Sequence, residues 1–234
     1  HEYKHIQTGM EFVLLPSGTY FNSFIRKDIF IRSFLIAKYE CTQKIWNLIV
    51  PDLLKQYTTD YSESTVAIGD EYPIVGQTYS DSYEFCKRTG LSLPSANQWE
   101  YATQAGSKYR YCYGNDVHLL CKYAWYNQNS NNSTHKVGQL LPNAFGLYDI
   151  HGNVNEQCAD EFYSKINNTS IPIPMNDIPA KPPYIPDTEH YYVVRDGNFK
   201  DNASYQELSR LCFCLFSKSS LHIGVRFIYS IFHY

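Results

Sequence analysis

Apolar residues recur at helical spacing in several segments of the chain, each beginning near a capping residue. The segments are the stretch after the predicted cap Thr42, residues 79–90 with Ser80 or Asp81 as cap and Gly90 as stop, and residues 93–106 with Ser95 as cap and Gly106 as end. A capping residue followed by an apolar face and a terminal glycine is typical of a short helix. These segments predict helices in the first half of the chain.

The remaining ordered segments are predicted to be strands. MEFVLLPSGTYF (10–21) alternates and then turns at Pro-Ser-Gly, which predicts a hairpin. Further predicted strands are IFIRSFLIAKYE (29–40), YYVVRDGNF (191–199), LCFCLF (211–216) and IGVRFIYS (223–230). Residues 108–162 are expected to be mostly loop. The fold class is therefore α+β, with two helices, short strands and long loops.

Composition places all of this in one domain. The chain has 234 residues, and its Pro-rich run at 171–186 is interpreted as a loop inserted within a single domain spanning 1–234. The net charge is −3 with mixed signs, so nucleic acid is not an expected partner. No apolar run is long enough for a membrane helix, so membrane insertion is not expected. The 22 tyrosines fit either core packing or a recognition surface.

Cysteine spacing is uninformative about metals. The seven cysteines show neither a Cys-x-x-Cys pair nor a Cys/His pattern typical of zinc. Cys212 and Cys214 alternate along a predicted strand and share one face. Most of the seven are expected to be small buried side chains. The chain begins at His1 rather than Met, which is compatible with removal of a leader. The sequence leaves the location open, and a cell-surface, secreted or virion-associated location is favoured.

Eight segments, in order along the chain, resemble the formylglycine-generating-enzyme (sulfatase-modifying factor) domain, a variant of the C-type lectin fold. They are MEFVLLPSGTY, KYECTQKIW, YPIVGQTYSDSYEFC, LSLPSANQWEYATQAG, YCYGN, THKVGQLLPNAFGLYDIHGNVNEQCAD, VVRDGNF and IGVRF. The resemblance covers nearly the whole chain and implies the fold of that family. Because the fold hosts several functions, it does not by itself imply an activity.

The resemblance also shows where the chemistry of the family's enzymes should be. Their two copper-binding cysteines follow an Arg-Gly-Gly-Ser-Trp/Tyr turn, which reads Arg-Asp-Gly-Asn-Phe at 195–199 here. The matching positions are Asp201 and Gln206, and neither can form a thiolate ligand for Cu(I). No copper and no enzymatic activity are therefore expected. A divergent oxidase using Cys212 and Cys214 is the enzymatic alternative. A second enzymatic relative that the resemblance brings in is the iron-dependent sulfoxide synthase, which carries a histidine cluster for iron. This enzyme class is excluded, because the chain has no His-x-x-x-His-x-Glu run.

The stretch NAFGLYDIHGNVNEQCAD (143–160) resembles the family's calcium-binding corner. Mapped residue by residue, the resemblance implies four ligands for a structural Ca²⁺, namely the side chains of Asp149 and Glu156 and the carbonyl oxygens of Gly152 and Val154. Carboxylates and carbonyls are the ligands that this hard cation prefers. Alternatively, the corner folds without an ion and is held by hydrogen bonds of the Asn153 side chain to the backbone.

Departures from the family pattern cluster around the expected working surface. Asn155 and Gln157 stand where tryptophans are usual, and Asn198 and Phe199 alter the glycine-rich turn. This clustering of departures resembles the pattern in the variable proteins of diversity-generating retroelements. In those proteins a C-terminal segment is diversified by mutation of adenines in its coding sequence. The candidate ligand-binding residues are Asn155, Gln157, Asn198, Phe199, Tyr205, Arg210, Phe213, Leu215, Leu221 and His222.

The resulting hypothesis is a non-enzymatic protein that binds a protein or glycan on a target surface. It would do so through the segment from the glycine-rich turn to the closing Gly-Val-Arg, residues 198–226, which we call the C-terminal window. Aromatic and arginine anchors on a rigid loop scaffold suit such binding. Two alternatives remain. One is the divergent oxidase, and the other is an undiversified accessory domain of the same fold.

Overall fold

The computed structural model describes residues 2–22, 25–52, 66–165, 169–170, 188–215 and 218–231. The helices are α1 (Gln43–Ile49), α2 (Tyr79–Thr89) and α3 (Ala96–Gln104), with 3₁₀ turns at Val117–Lys122 and Ala203–Gln206. The strands are β1 (Glu2–Lys4), β2 (Glu11–Leu15), β3 (Gly18–Asn22), β4 (Lys27–Ile31), β5 (Phe34–Ala37), β6 (Ala124–Trp125), β7 (His151–Gly152), β8 (Asn155–Lys165), β9 (Thr169–Ser170), β10 (Thr188–Arg195), β11 (Leu211–Leu215), β12 (Ile223–Gly224) and β13 (Ile228–Tyr229). Within these ranges no helix has the length and apolar character to cross a bilayer.

The α+β class is confirmed. The described part of the chain has three α-helices, one more than the two of the predicted class, and they correspond to the three segments with helical spacing. In the short α1, the predicted cap Thr42 accepts from the backbone N–H of Ile45. The cap of α2 is Thr78, not Ser80 or Asp81, and Asp81 instead completes a capping box by accepting from the Thr78 N–H. Ser95 caps α3 as predicted.

The predicted N-terminal hairpin is wrong. Strands β2 and β3 do follow each other across the Pro-Ser-Gly turn, but they lie in different sheets. Strand β2 pairs with β1 and β5 in a sheet of order β1-β2-β5-β13, and β3 pairs with β4 in a two-stranded ribbon. The chain crosses between them where Gly18 meets α3: a Cβ at this glycine would lie 2.6 Å from the Tyr101 hydroxyl. Gly18 thus packs closely against α3 at the start of β3.

The second large sheet carries the C-terminal window. Its order is β11-β10-β8-β12, with the short β9 paired to β8. Residues 155–162, predicted as loop, form the first part of β8, which pairs antiparallel with β10. The polar side chains of Asn155, Glu156 and Gln157 have partners in distant parts of the chain. Helix α3 packs on this sheet through Trp99, which contacts Cys158 and Val193. The Pro-rich run at 171–186 lies outside the described residues, as does Phe216.

The main core joins the helices to the two sheets. Trp46 of α1 stacks on Phe85 of α2 with ring centroids 5.2 Å apart, and Phe85 stacks on Phe227 at 4.4 Å. All three side chains are fully buried. Since these aromatic residues come from three distant segments, their packing fixes the C-terminal Gly-Val-Arg-Phe segment against the helices.

Candidate functional site

The turn at the end of β10 supports the C-terminal window. Arg195 is buried, and its guanidinium pairs with the Glu100 carboxylate of α3 at 2.5 Å. The same side chain donates to the carbonyl oxygen of Arg210 at 3.2 Å. At Asp196 the backbone has a φ of +69°, which ends the strand. A single buried side chain thus holds the end of the strand and the later part of the window together.

Gly197 is a position where the turn requires glycine. A Cβ there would lie 2.5 Å from Nε2 of Gln206 and 2.8 Å from the carbonyl oxygen of Tyr205. The turn is therefore pressed directly against the 3₁₀ segment at Ala203–Gln206. Any side chain at this glycine would push the window outward.

Asp201 and Gln206, which the sequence resemblance predicts to stand at the copper-cysteine positions, hold the turn in place. The Asp201 carboxylate accepts from the backbone N–H of Asn198 at 3.0 Å and from its side-chain amide at 2.7 Å. Gln206 is fully buried and donates to the Asn198 carbonyl oxygen at 3.1 Å. Both side chains are thus engaged with the same asparagine. Their hydrogen bonds give them a structural role in this arrangement.

Cys212 and Cys214 share one face of β11, as predicted from the sequence. Both are half-buried and pack against the main core, opposite Val194 and Tyr192 of β10. Phe213 points to the other face and is 44% exposed. The strand therefore directs its sulfur atoms inward and an aromatic ring outward.

Four of the ten predicted ligand-binding residues are buried, so their expected place on a surface is wrong. Phe199 is 1% exposed. Gln157 is fully buried and accepts from the Ser82 hydroxyl at 2.6 Å. Asn155 accepts from the Asn198 side-chain amide at 2.9 Å and donates to the Asp196 carbonyl oxygen. Amides at the usual tryptophan positions stay inside because each finds hydrogen-bond partners there.

The remaining predicted residues form a more accessible surface. Tyr205 is 37% exposed, and Arg210 is also exposed. Three further residues, Leu215, Leu221 and His222, are half-buried. The His222 ring packs edge-on against buried Phe199 at a centroid distance of 5.4 Å. The accessible part of the window is thus centred on Tyr205, Arg210 and Phe213.

The predicted calcium corner is a buried acidic cluster. Glu156 is fully buried, and its Oε1 accepts from Nε and Nη2 of Arg226 at 2.9 and 2.7 Å. Its Oε2 accepts from the Trp99 indole at 2.6 Å. Both oxygens of this predicted ligand therefore already have strong partners.

Asp149 is better placed than Glu156 to bind a cation. It has a φ of +53°, and its Oδ2 accepts from the Gly138 N–H at 2.6 Å. Its Oδ1 is buried and has no hydrogen-bond partner in the described residues. Left-handed backbone at Gly152 and Asn153, with φ of +79° and +59°, turns this loop sharply. An unpartnered buried oxygen in a tight loop fits an oxygen-ligated cation.

A third acid, Glu40, joins the cluster and was missed in the sequence. Its carboxylate accepts from the Asn153 side-chain amide at 2.6 Å and from the Val154 N–H at 3.2 Å. Burial raises the pKa of Glu40 well above its usual value, and burial raises the pKa of Asp149 to about 6. Arg226 acts on both carboxyls in the opposite direction. Asp196 is a further buried acid whose pKa is raised by burial, and the charges of Glu156 and Glu40 act in the same direction. A proton or a bound cation would compensate the excess of these acids over Arg226.

The geometry also favours part of the ion-free alternative. Asn153 accepts from the His135 N–H at 2.9 Å and donates to the His135 carbonyl oxygen at 3.2 Å. Across the described ranges, no three His, Cys, Asp or Glu side chains come together as a metal-binding group. A bound ion would therefore take most of its ligands from carbonyl oxygens and water.

Comparison with known proteins agrees with the fold. The model of the Sulfatase-modifying factor enzyme 1-like domain matches residues 3–231. The chain belongs to this family. The solved structures that it resembles include Treponema denticola variable protein 1, with a TM-score of 0.73, 19% identity and coverage of 97% of this chain and 98% of that one. PvdO from Pseudomonas aeruginosa gives a TM-score of 0.75, 21% identity and 97% coverage of both chains.

Curated relatives of this family member carry differing names. The Paenibacillus barcinonensis "Chaperone protein LppX" is 26% identical over 208 residues, which cover 63% of this chain and 70% of that protein. A formylglycine-generating enzyme of Thermomonospora curvata is 27% identical over 154 residues, covering 61% of this chain but 49% of the enzyme. An "Inactive C-alpha-formylglycine-generating enzyme 2" of Bos taurus is 29% identical over 102 residues, covering 39% and 34%. The chain thus spans half or less of the two relatives named after the enzyme.

Proposed function

We propose that this protein is a non-enzymatic ligand-binding member of the family, of the kind diversified by a retroelement. The observation that carries the proposal is the use of Asp201 and Gln206. Both are committed to holding Asn198 in place, whereas Tyr205 and Arg210 beside them face the solvent. A rigid turn that presents aromatic and arginine side chains suits recognition.

Chemistry supports the same conclusion. Carboxylate and amide groups are poor ligands for Cu(I), which prefers thiolates. The two cysteines of the alternative oxidase, Cys212 and Cys214, pack toward the core beside Tyr192. A family that includes a relative named inactive is compatible with a function other than oxidation.

The ligand in this proposal is a protein or glycan on a target surface. Sequence variation would be confined to the window between the turn and the closing Gly-Val-Arg. Residues 211–216 and 219–222 contain only residue types reachable by mutating adenines of an asparagine codon, whereas Lys200, Gln206, Glu207 and Lys218 would be fixed. The structural likeness to a Treponema denticola variable protein concerns the fold, and it is compatible with this use of the window.

Sequencing of the DNA beside the gene tests the proposal. We expect a near-copy of the window-coding segment that differs from it at adenines, next to a reverse-transcriptase gene. Identical windows in independent isolates, with no such template, would contradict it. Oxygen-dependent oxidation of a cysteine-containing peptide by the copper-loaded protein would instead support the alternative oxidase.

A structural calcium ion at the acidic corner is a separate part of the proposal. Asp149 would be its main side-chain ligand, because one of its carboxylate oxygens is buried without a partner in the described residues. The carbonyl oxygens of Gly152 and Val154 would complete the set with water. Elemental analysis of the purified protein after dialysis would detect an ion held this way.

An accessory role is the second candidate function. The match to a relative named as a chaperone covers a larger share of that protein than the match to the formylglycine-generating enzyme of Thermomonospora curvata does. Co-purification of one constant partner, unaffected by substitutions at Tyr205 and Arg210, would favour this role over diversified binding.

A further inference from the structure

Two cations of the window lie on aromatic rings. The Arg210 guanidinium carbon is 4.2 Å from the centroid of the Tyr205 ring. The Lys200 ammonium is 5.7 Å from the centroid of the Phe199 ring. Both cations are exposed. Within the described ranges, neither Lys200 nor Arg210 forms a salt bridge, although other lysines and arginines there do, such as Arg110 with Glu207. We call Lys200, Tyr205 and Arg210 the basic window surface.

The acids of the same segment are already engaged. The Glu207 carboxylate pairs with Arg110 at 3.3 Å. Asp201 accepts two hydrogen bonds from Asn198. Neither acid therefore pairs with the basic window surface, and its two positive charges are available to a partner.

The cation–π contact leaves Arg210 able to bind a carboxylate. Its guanidinium carbon lies over the Tyr205 ring, and the N–H groups of a guanidinium match the two oxygens of a carboxylate. Because the ring already restricts the side chain, less conformational entropy is lost when a partner binds. The arrangement is thus suited to recognising acidic groups.

The positive charge of the basic window surface contrasts with the negative net charge of the whole chain. The net charge is −3, so an acidic partner is repelled by the molecule as a whole and attracted to this surface. Such a contrast orients a partner and improves specificity. The exposed Tyr205 ring beside Arg210 favours a protein partner, because tyrosine and arginine contribute much of the binding energy of protein interfaces.

We infer that the partner of the window is an acidic segment of a protein, whose Asp or Glu carboxylates contact Arg210 and Lys200. This inference rests on the proposed binding function and names its partner class. Binding should weaken with ionic strength, because exposed charge pairs are screened by salt.

Selection from a phage-displayed library of random dodecapeptides on the purified chain provides the test. We expect the recovered peptides to be enriched in Asp and Glu. Their affinity should fall about tenfold or more for the double variant K200E/R210E, since like charges now face each other. The matched control is R26E/K27E, which makes the same charge change at exposed residues of the β3–β4 ribbon and should leave the affinity unchanged.

Other outcomes separate this inference from the function on which it rests. If no acidic sequence is recovered, the inference is overturned. If the peptides lose binding to Y205A/F213A but not to K200E/R210E, the acidic partner is wrong and binding through the window stands. If none of the window substitutions changes the affinity for the peptides, both the acidic partner and the proposed binding through the window are contradicted. Thermal unfolding of each variant confirms that the loss is not one of folding.

Discussion

The acidic corner and the C-terminal window lie close together but use charge in opposite ways. In the corner, Glu156 and Arg226 are fully buried and saturate each other with hydrogen bonds. In the window, Arg210 and Lys200 are exposed and rest on aromatic rings. A buried ion pair is very sensitive to loss of one partner, whereas an exposed cation contributes little to stability.

The difference separates what maintains the fold from what is free to change. Strand β8 and the Gly-Val-Arg-Phe segment are joined by Glu156 and Arg226, and Arg195 joins β10 to α3 through Glu100. Within the window, Phe199 and Gln206 are buried, whereas Tyr205, Arg210 and Phe213 are exposed. We therefore expect substitutions at these three exposed residues to leave the scaffold intact.

The largest expected effect is from removal of the buried cation. R226M leaves Glu156 uncompensated and should lower the free energy of unfolding by about 3–5 kcal/mol. R210M removes the same group from the window and should cost about 1 kcal/mol or less, because it loses only an exposed cation–π contact. Urea unfolding followed by tryptophan fluorescence measures both. Equal losses in the two variants would contradict the distinction between corner and window.

A similar contrast is expected between two phenylalanines of the window. F199A removes a side chain that is 1% exposed and should destabilise the protein by about 3 kcal/mol or more. F213A removes one that is 44% exposed, so its stability should change little while ligand binding falls. Paired denaturation curves give the first result. A large destabilisation by F213A would show that this ring belongs to the core.

The tight loop of the corner predicts a contrast between two glycines. A Cβ at Gly152 would lie 2.2 Å from the backbone oxygen of Trp125, and its φ is +79°. G152A should therefore cost about 2–3 kcal/mol, since both strain and a clash with backbone arise. The control is G90A, whose φ of +74° is similar but whose Cβ would meet nothing within 4 Å. Strain alone should cost G90A about 1 kcal/mol, measured as a smaller shift in the urea midpoint.

Calcium should stabilise the wild-type chain if the proposed site exists. At a free calcium concentration of about 100 times the dissociation constant, binding adds up to about 2.7 kcal/mol to the free energy of unfolding. D149N should abolish the increase because it removes the carboxylate that has a free oxygen. Thermal melts with calcium, with magnesium and with chelator provide the comparison. A wild-type midpoint unaffected by calcium would favour protons as the compensating charges of the corner.

Sequence patterns predicted the local features well. The cap at Ser95 and the stop at Gly90 depend on hydrogen bonds within a few residues, so local sequence determines them. Pairing of β2 with β5 instead of β3 was not predictable in this way, because β5 lies further along the chain, beyond the β3–β4 ribbon. Short-range alternation cannot show such a contact.

The candidate site was predicted only in part for the same reason. Phe199 looks like a surface aromatic in the sequence, yet it is buried beneath His222. Gln157 looks like a loop amide, yet Ser82 on α2 holds it inside the protein. Conversely, no sequence pattern indicated that Lys200 is a candidate binding residue. The structure shows that it is exposed and lies over the Phe199 ring. Burial of polar residues is decided by distant partners, which no local pattern reveals.

Saturation mutagenesis of residues 199–222 tests the separation of scaffold and surface most directly. Each variant would be displayed on yeast and scored by protease resistance, which reports folding without requiring a ligand. We predict that Tyr205, Arg210 and Phe213 accept nearly all residues, whereas Phe199 and Gln206 accept few. If Tyr205, Arg210 and Phe213 proved as intolerant as Phe199, the window would be part of the structural core and the account would be contradicted.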